Sequence, residues 1–230
     1  MYFIIIIAFM ILSWVVSTRL RNKFKKYSKM QLGSGLSGRE IAELMLKDNG
    51  IYDVKVTSVQ GHLTDHYNPA TKTVNLSPDV YNGRSAAAAA VASHECGHAV
   101  QHANAYSFLE FRSAMVPVQN ISARIINIVF MIMFFGAFLL PNIIPFQTAI
   151  LIIIACYFVF TLFSFITLPV EFDASKRALA WISDRGIVNS DEHAKAKDAL
   201  NTAAQTYVIA ALGSLATLLY WVMIFLGGEE

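Results

Sequence analysis

Long uncharged runs constrain the fold of this chain more than any other feature. Residues 125–170 contain no charged side chain, and as a helix rising about 1.5 Å per residue they would cross the roughly 30 Å of a bilayer core twice. Pro141, Asn142 and Pro145 interrupt this run and predict a tight turn. Two further apolar runs lie near the chain ends. We therefore predict four transmembrane helices, over residues 2–18, 122–140, 146–168 and 207–226.

The composition agrees with a membrane protein. The chain is 55% hydrophobic and only 15% charged, whereas about 25% of residues are charged in ordinary soluble domains. A disordered chain and a wholly soluble globule are thereby excluded. The net charge of +2 is too small for the basic surface that binds nucleic acid. We therefore expect a lipid bilayer as a partner and no binding of nucleic acid. Cys96 and Cys156 lie in unlike surroundings, which argues against a disulfide framework.

The basic residues predict an orientation in the membrane. Loops rich in Lys and Arg tend to stay in the cytoplasm. Six such residues follow the first apolar run: Arg19, Arg21, Lys23, Lys25, Lys26 and Lys29. The segment after the third run is also basic. We expect a multi-pass protein of the cell membrane with residues 19–117 and 169–205 in the cytoplasm and with both termini outside.

The polar part between the first two spans has the patterns of an α+β domain. Ser37 and Glu40 form a capping box that begins a helix over residues 37–50. Residues 52–59 and 71–76 have strand patterns and predict a small antiparallel sheet, with Asp65, His66 and Tyr67 in a turn between them. The expected fold is a mainly α, zincin-like α+β domain combined with about four transmembrane helices.

An alanine-rich helix over residues 85–103 carries the clearest chemical motif. His94 and His98 are four residues apart, so both imidazoles lie on one helical face and can share a metal ion. With Glu95 they complete the HExxH pattern, in which two histidines bind zinc and the glutamate takes a proton from a water molecule that the metal activates. Cys96 lies on the far side of the helix and is expected to pack in the core. His102 is too far along the helix to share the ion, and we place it behind the ligands or at the surface.

A catalytic zinc needs a third protein ligand. The metzincin pattern requires a Gly three residues and a His six residues after the second His, and Gln101 and Asn104 stand there. That pattern is excluded, which leaves a carboxylate from a separate helix. The candidates on the same side of the membrane are Glu110, Glu171, Asp173, Asp184, Asp191, Glu192 and Asp198. Glu171 is favoured because it follows Pro169 at the membrane boundary and begins a predicted helix over residues 171–183. Asp173 is the second choice as a ligand, and otherwise a hydrogen-bond partner for a ligating imidazole.

The motif from His94 to His98, followed by Glu171-Phe172-Asp173-Ala174-Ser175, resembles the YugP-like neutral zinc metallopeptidase family, a relative of the HtpX and CAAX prenyl protease type membrane enzymes. The segment over residues 61–69 is similar to the same family. The resemblance implies a gluzincin-like site with Glu171 as the third ligand. Ser175 departs from the HtpX and prenyl protease pattern, which has an acidic residue four places after the ligand, and Asp173 is the expected substitute.

These observations predict a zinc endopeptidase with one Zn²⁺ ion, cutting a peptide or protein substrate at a site that faces the cytoplasm. Glu95 is the expected general base, and His193 or Tyr207 the expected donor to the oxyanion. Residues 71–76 are the expected edge strand for an extended peptide. The alternative is a non-catalytic membrane scaffold or regulatory protein with a structural zinc site. Imidazole and carboxylate ligands also bind other divalent ions, and zinc is the expected one.

Overall fold

The computed structural model describes residues 2–139 and 145–227. Its helices and strands are α1 (Tyr2–Tyr27), α2 (Gly38–Asp48), β1 (Lys55–Ser58), β2 (His66–Asn68), β3 (Thr73–Leu76), α3 (Pro78–Tyr81), α4 (Ala86–Ala103), α5 (Ser107–Leu139), α6 (Phe146–Asp184) and α7 (Ser190–Gly227). The mainly α prediction is confirmed. The predicted turn residues Pro141 and Asn142 lie outside the described residues.

The chain divides into two compact units. The first, here called the apolar unit, contains Met1–Trp14, Phe111–Leu168 and Tyr207–Glu230. The second, the polar unit, contains Val15–Glu110 and Pro169–Thr206. The three predicted ligands, His94, His98 and Glu171, belong to the polar unit together with Glu95.

The apolar unit contains segments of four long helices. Over the described residues, α1, α5, α6 and α7 are long and apolar enough to cross a bilayer, which confirms the prediction of four such helices. Phe3 is 75% exposed and Trp14 is 69% exposed. Rows of large exposed apolar side chains on a long helix are favourable in lipid and costly in water. Ile150 and Ile153 are buried inside this unit with Trp221.

Helix α6 is longer than predicted. We expected a new helix to begin at Glu171, but α6 runs without a break through Pro169. A proline inside a helix removes one hydrogen bond and costs about 3 kcal/mol. Burial offsets that cost, because one stripe of α6 is completely buried after the proline: Val170, Ala174, Ala178 and Ile182. Glu171 therefore lies within a continuous helix.

The polar unit is built on the packing of α2 against α4. The predicted capping box is present at the start of α2, where Ser37 and Glu40 bond each other's backbone N–H. Ile41 and Met45 of α2 are buried among the alanines of α4. Alanine has the highest helix propensity and the smallest Cβ-bearing side chain, so α4 is stable as a helix and allows close approach. The Sγ of Cys96 lies in this core, 3.6 Å from the carbonyl of Ala42.

The sheet corrects three predictions. It is mixed, not antiparallel, with strand order β1-β3-β2: β1 pairs parallel with β3, and β2 pairs antiparallel with β3. The predicted turn at His66 and Tyr67 is strand β2, which is too short to show an alternating pattern. Because β3 is the central strand, the prediction that residues 71–76 form an edge was wrong. The edge next to α4 is β2, whose Tyr67 N–H bonds Glu95 of that helix.

Candidate metal centre

Helix α4 holds two imidazoles side by side. Its N-cap is Ser85, whose side chain accepts a hydrogen bond from the Ala88 N–H at 3.2 Å, and it continues for 18 residues. The rings of His94 and His98 lie one turn apart, with centroids 4.8 Å from each other. Their side chains are only 14% and 12% exposed. The helix thus presents both Nε2 atoms at one largely buried position.

A glycine in the motif lets α6 reach this position. A Cβ atom at Gly97 would lie 2.6 Å from the carbonyl oxygen of Ala174 and 3.1 Å from that residue's carbonyl carbon and Cα. Any larger residue at position 97 would therefore push the α6 backbone away. The close approach of α4 and α6 is what brings Glu171 to the histidines.

Glu171 completes a cluster of three ligand atoms. Its Oε2 lies 3.3 Å from His94 Nε2 and 3.7 Å from His98 Nε2. One ligand atom from each of these three residues lies within 4.8 Å of the other two. The Glu171 side chain is 5% exposed, so this carboxylate is almost shielded from solvent.

The far side of each imidazole is held by a hydrogen bond. Gln101 Nε2 donates to the Val170 carbonyl and to Asp173 Oδ2, both at 2.8 Å. Its Oε1 must therefore be the atom that faces His98 Nδ1 at 3.0 Å. An oxygen acceptor requires His98 Nδ1 to carry a proton, so the neutral ring directs the lone pair of Nε2 towards Glu171. On the other ligand, Ser175 Oγ lies 3.1 Å from His94 Nδ1.

The donor set fits a zinc ion. Among the described residues, Glu171 Oε2 is a buried atom with no hydrogen-bond partner, although buried carboxylates are normally satisfied. This oxygen faces Nε2 of His94 and Nε2 of His98. The His98 Nε2 carries a lone pair because the proton of that ring is on Nδ1. Electron-rich atoms of two His and one Glu directed at one point are the His₂Glu ligands of catalytic zinc sites, which keep a further position for water. The structure brings the three predicted ligands His94, His98 and Glu171 together, and their binding of zinc stays a prediction.

The carboxylates near His98 change the affinity of its imidazole for a proton. Burial lowers the pKa of His98, but the Glu171 carboxylate 3.7 Å from Nε2 and the charge of Glu95 outweigh it, and the pKa is raised above its usual value. Burial also raises the pKa of the Cys96 thiol, which keeps this side chain neutral and out of the ligand set.

Glu95 lies beside the ligands and not among them. Its side chain is directed to β2, where Oε2 accepts a hydrogen bond from the Tyr67 N–H at 3.0 Å. The residue is 8% exposed. A carboxylate next to a metal position and against a strand edge is placed to exchange a proton with a reacting group.

The other predicted site residues lie at different distances from the ligands. Asp173 accepts hydrogen bonds from Gln101 at 2.8 Å and from Arg177 at 2.6 Å, so it acts on His98 through Gln101. His102 Nδ1 is 2.8 Å from the hydroxyl of Tyr67. His193 Nε2 is 3.3 Å from the Leu179 carbonyl. Tyr207 belongs to the apolar unit, and its role as an oxyanion donor stays a prediction.

Sequence reasoning missed two residues that support the ligands. In the sequence, Gln101 is noticeable only as a mismatch to the metzincin pattern. Ser175 is noticeable only because the HtpX and prenyl protease pattern has an acidic residue at its place. Ser175 could have been found from spacing, because it is four residues after Glu171 and therefore on the same face of α6. Gln101 is three residues after His98, but only the packing of α6 on α4 shows what its amide bonds.

Two rival carboxylates have other partners. Glu192 caps α7 by accepting the Asn189 N–H at 2.8 Å, and its second oxygen accepts the Gly33 N–H at 2.8 Å. Asp198 accepts from Lys23 Nζ at 2.7 Å. These contacts account for both acids without a metal.

Comparisons with known proteins identify the family of this chain. A family model described as "Putative neutral zinc metallopeptidase" matches residues 2–226. The chain is 41% identical over 230 residues to "Putative membrane protease YugP" of Bacillus subtilis (strain 168), covering 100% of this chain and 99% of that protein. No solved structure matches this chain significantly. The resemblance predicted from the motifs is confirmed, and the chain belongs to this neutral zinc metallopeptidase family.

Proposed function

We propose that this protein is a multi-pass membrane zinc endopeptidase whose site faces the cytoplasm. The observation that carries the proposal is the buried, hydrogen-bond-free oxygen of Glu171 facing His94 and His98, with Glu95 beside them. A bound zinc ion would be held by these three residues and would polarise a peptide carbonyl and activate water there.

Glu95 is the proposed general base. Its carboxylate takes a proton from the attacking water and returns it to the departing amine, which requires it to lie next to the ligands without being one. In this structure the Tyr67 N–H holds it at the boundary between α4 and β2. Gln101 and Ser175 keep the imidazole rings oriented, and this orientation keeps lone pairs directed at the metal position.

Strand β2 is the proposed site of substrate pairing. It bonds β3 on one side only, and its other side faces the HExxH helix. An extended peptide added to this edge would be recognised through its backbone, with little sequence preference. A series of peptides of increasing length tests this: kcat/KM is expected to rise as residues able to pair with β2 are added, and a length-independent value would contradict it.

The experiment for the reaction compares detergent-purified wild type with Glu95→Gln on an unfolded protein substrate, with zinc content measured in the same samples. The amide oxygen of glutamine can still accept the Tyr67 N–H, so β2 should stay in place. We expect zinc to be retained and cleavage to be lost. Glu43→Gln, at an exposed residue paired with Arg39, is the matched control and should cleave normally.

Two outcomes would overturn the proposal. Undiminished cleavage by Glu95→Gln would show that Glu95 is not the general base. Absence of zinc from wild type would favour a membrane scaffold without catalytic function.

The orientation rests on the basic residues that follow the first apolar run. Cysteine labelling in sealed vesicles tests it with single cysteines at Lys47 and Lys55, two exposed residues of the polar unit, in a background without native cysteines. Labelling only after the cytoplasmic side is opened is expected. Labelling from outside would show that the predicted topology is inverted and that the site lies on the other face of the membrane.

A further inference from the structure

A second concave site lies in the polar unit, away from the residues assigned to zinc. It is a cavity of about 630 Å³ beside the C-terminal part of α1, and it is lined by Arg21, Asn22, Phe24, Lys25, Ser28, Lys29, His62, Asp79, Gly83 and Ser85. Three of these are cationic and one is acidic. The proposed peptidase function does not use any of them.

Two of the cations share a helical face. Arg21 and Lys25 are four residues apart in α1 and therefore lie on one face of that helix. Lys29 follows the end of the helix at Tyr27 and lines the same cavity. Ser28 and Ser85 also line the cavity. The Ser28 hydroxyl donates to the Phe24 carbonyl at 2.8 Å, and the Ser85 oxygen accepts from the Ala88 N–H at 3.2 Å.

These charges are not neutralised by the protein. Within residues 2–139 and 145–227, neither Arg21, Lys25 nor Lys29 has a carboxylate within the 4.0 Å of an ion pair, whereas Lys23 of the same helix pairs with Asp198 at 2.7 Å. Like charges that share a cavity repel each other unless an anion lies between them. The cavity therefore favours an anionic ligand with several acceptor oxygens, such as a phosphate group.

The position along α1 identifies the source of that phosphate. The apolar run ends at Thr18, and at about 1.5 Å per residue Arg21 lies roughly 4.5 Å further along the helix and Lys25 about 10 Å further. The polar headgroup layer extends for several Å beyond the hydrocarbon core. If α1 crosses the bilayer, Arg21 is at the depth of the lipid phosphates, and Lys25 lies a few Å beyond it, within reach of its long side chain. We propose that this cavity binds the phosphate of an anionic phospholipid headgroup.

The test separates a built site from general attraction of basic residues to acidic lipid. Wild type, Lys25→Gln/Lys29→Gln and Lys26→Gln/Lys47→Gln are purified in detergent, and binding of phosphatidylglycerol and phosphatidylcholine is measured by titration and native mass spectrometry. The two double variants lose the same charge. Lys26 is adjacent to Lys25 along the helix but does not line the cavity, which makes the second variant a close control.

We expect wild type to prefer phosphatidylglycerol and the Lys25/Lys29 variant to bind it on the order of tenfold to thirtyfold more weakly. The Lys26/Lys47 variant should bind like wild type. Equal weakening in both variants would overturn the proposal, because it would indicate diffuse electrostatic attraction. Inorganic phosphate in detergent is the remaining arm: if it competes at the same site while the lipids show no preference, the ligand is a free anion and the lipid assignment is wrong. Circular dichroism of each variant verifies the fold.

Discussion

Replacing Gly97 with alanine tests the idea that a close helix contact places the third ligand. The added Cβ would lie 2.6 Å from the Ala174 carbonyl oxygen, whereas real Cβ contacts essentially never fall under 3.0 Å. Relief to the 3.4 Å at which ordinary van der Waals contact begins requires α4 and α6 to move apart by roughly 0.8 Å. Zinc–ligand distances are held within about 0.2 Å, so Glu171 would be displaced by about four times that tolerance.

The expected losses differ between stability and metal binding. Alanine gains about 1 kcal/mol over glycine from helix propensity, and overpacking costs about 1–3 kcal/mol, so the net destabilisation is between about 0 and 2 kcal/mol. The zinc affinity of Gly97→Ala should fall about tenfold to hundredfold, or about 1.4–2.8 kcal/mol. Competition with a chromogenic chelator measures the affinity, and thermal unfolding measures the stability.

Gly38→Ala is the matched control. A Cβ there would lie 2.2 Å from the Val80 carbonyl oxygen, so it also overpacks a helix of the polar unit against backbone, but it contacts none of the ligands. We expect Gly38→Ala to lower the melting temperature and keep its zinc affinity. If Gly97→Ala binds zinc as tightly as wild type, the close contact does not position Glu171 and the reasoning is refuted.

Three further outcomes are expected. Gln101→Ala should weaken zinc binding about tenfold to hundredfold because His98 Nδ1 loses its acceptor; an affinity equal to that of wild type would contradict this. Because the pKa of His98 is raised in the metal-free protein, its proton competes with zinc, so the apparent Kd should rise about tenfold per pH unit below that pKa. Without zinc the same group stabilises the fold at low pH and loses this contribution as pH rises through its pKa, and a flat pH profile of both quantities would oppose the assignment. The buried thiol of Cys96 should resist alkylation in the folded protein, and Cys96→Ala should keep its zinc, as judged by mass spectrometry and metal analysis.

Some features were predictable because they depend on residues that are close in the sequence. The apolar runs required long helices, the capping box at Ser37 began α2 as expected, and the alanine run ensured that His94 and His98 share a helical face. Each of these follows from local propensity or from a helical period. Glu171 was predicted partly from its place after an apolar run and partly from the family resemblance.

Other features were decided only by tertiary packing. The continuity of α6 through Pro169 depends on the burial of one stripe of that helix, which outweighs the local effect of the proline. The parallel pairing of β1 with β3 depends on where the chain crosses after β1, and no three-residue strand such as β2 has enough alternation to be recognised.

The sequence by itself determined the chemistry of the ligands, since residue types and a spacing of four are sufficient for two histidines on one helix. It did not determine how the ligands are held. Only the fold brings Gln101 to both His98 and Asp173, and only the absence of a side chain at Gly97 allows α6 to come close enough for Glu171 to face the imidazoles. Such contacts join residues about 70 positions apart, and local propensity carries no information about distances between helices.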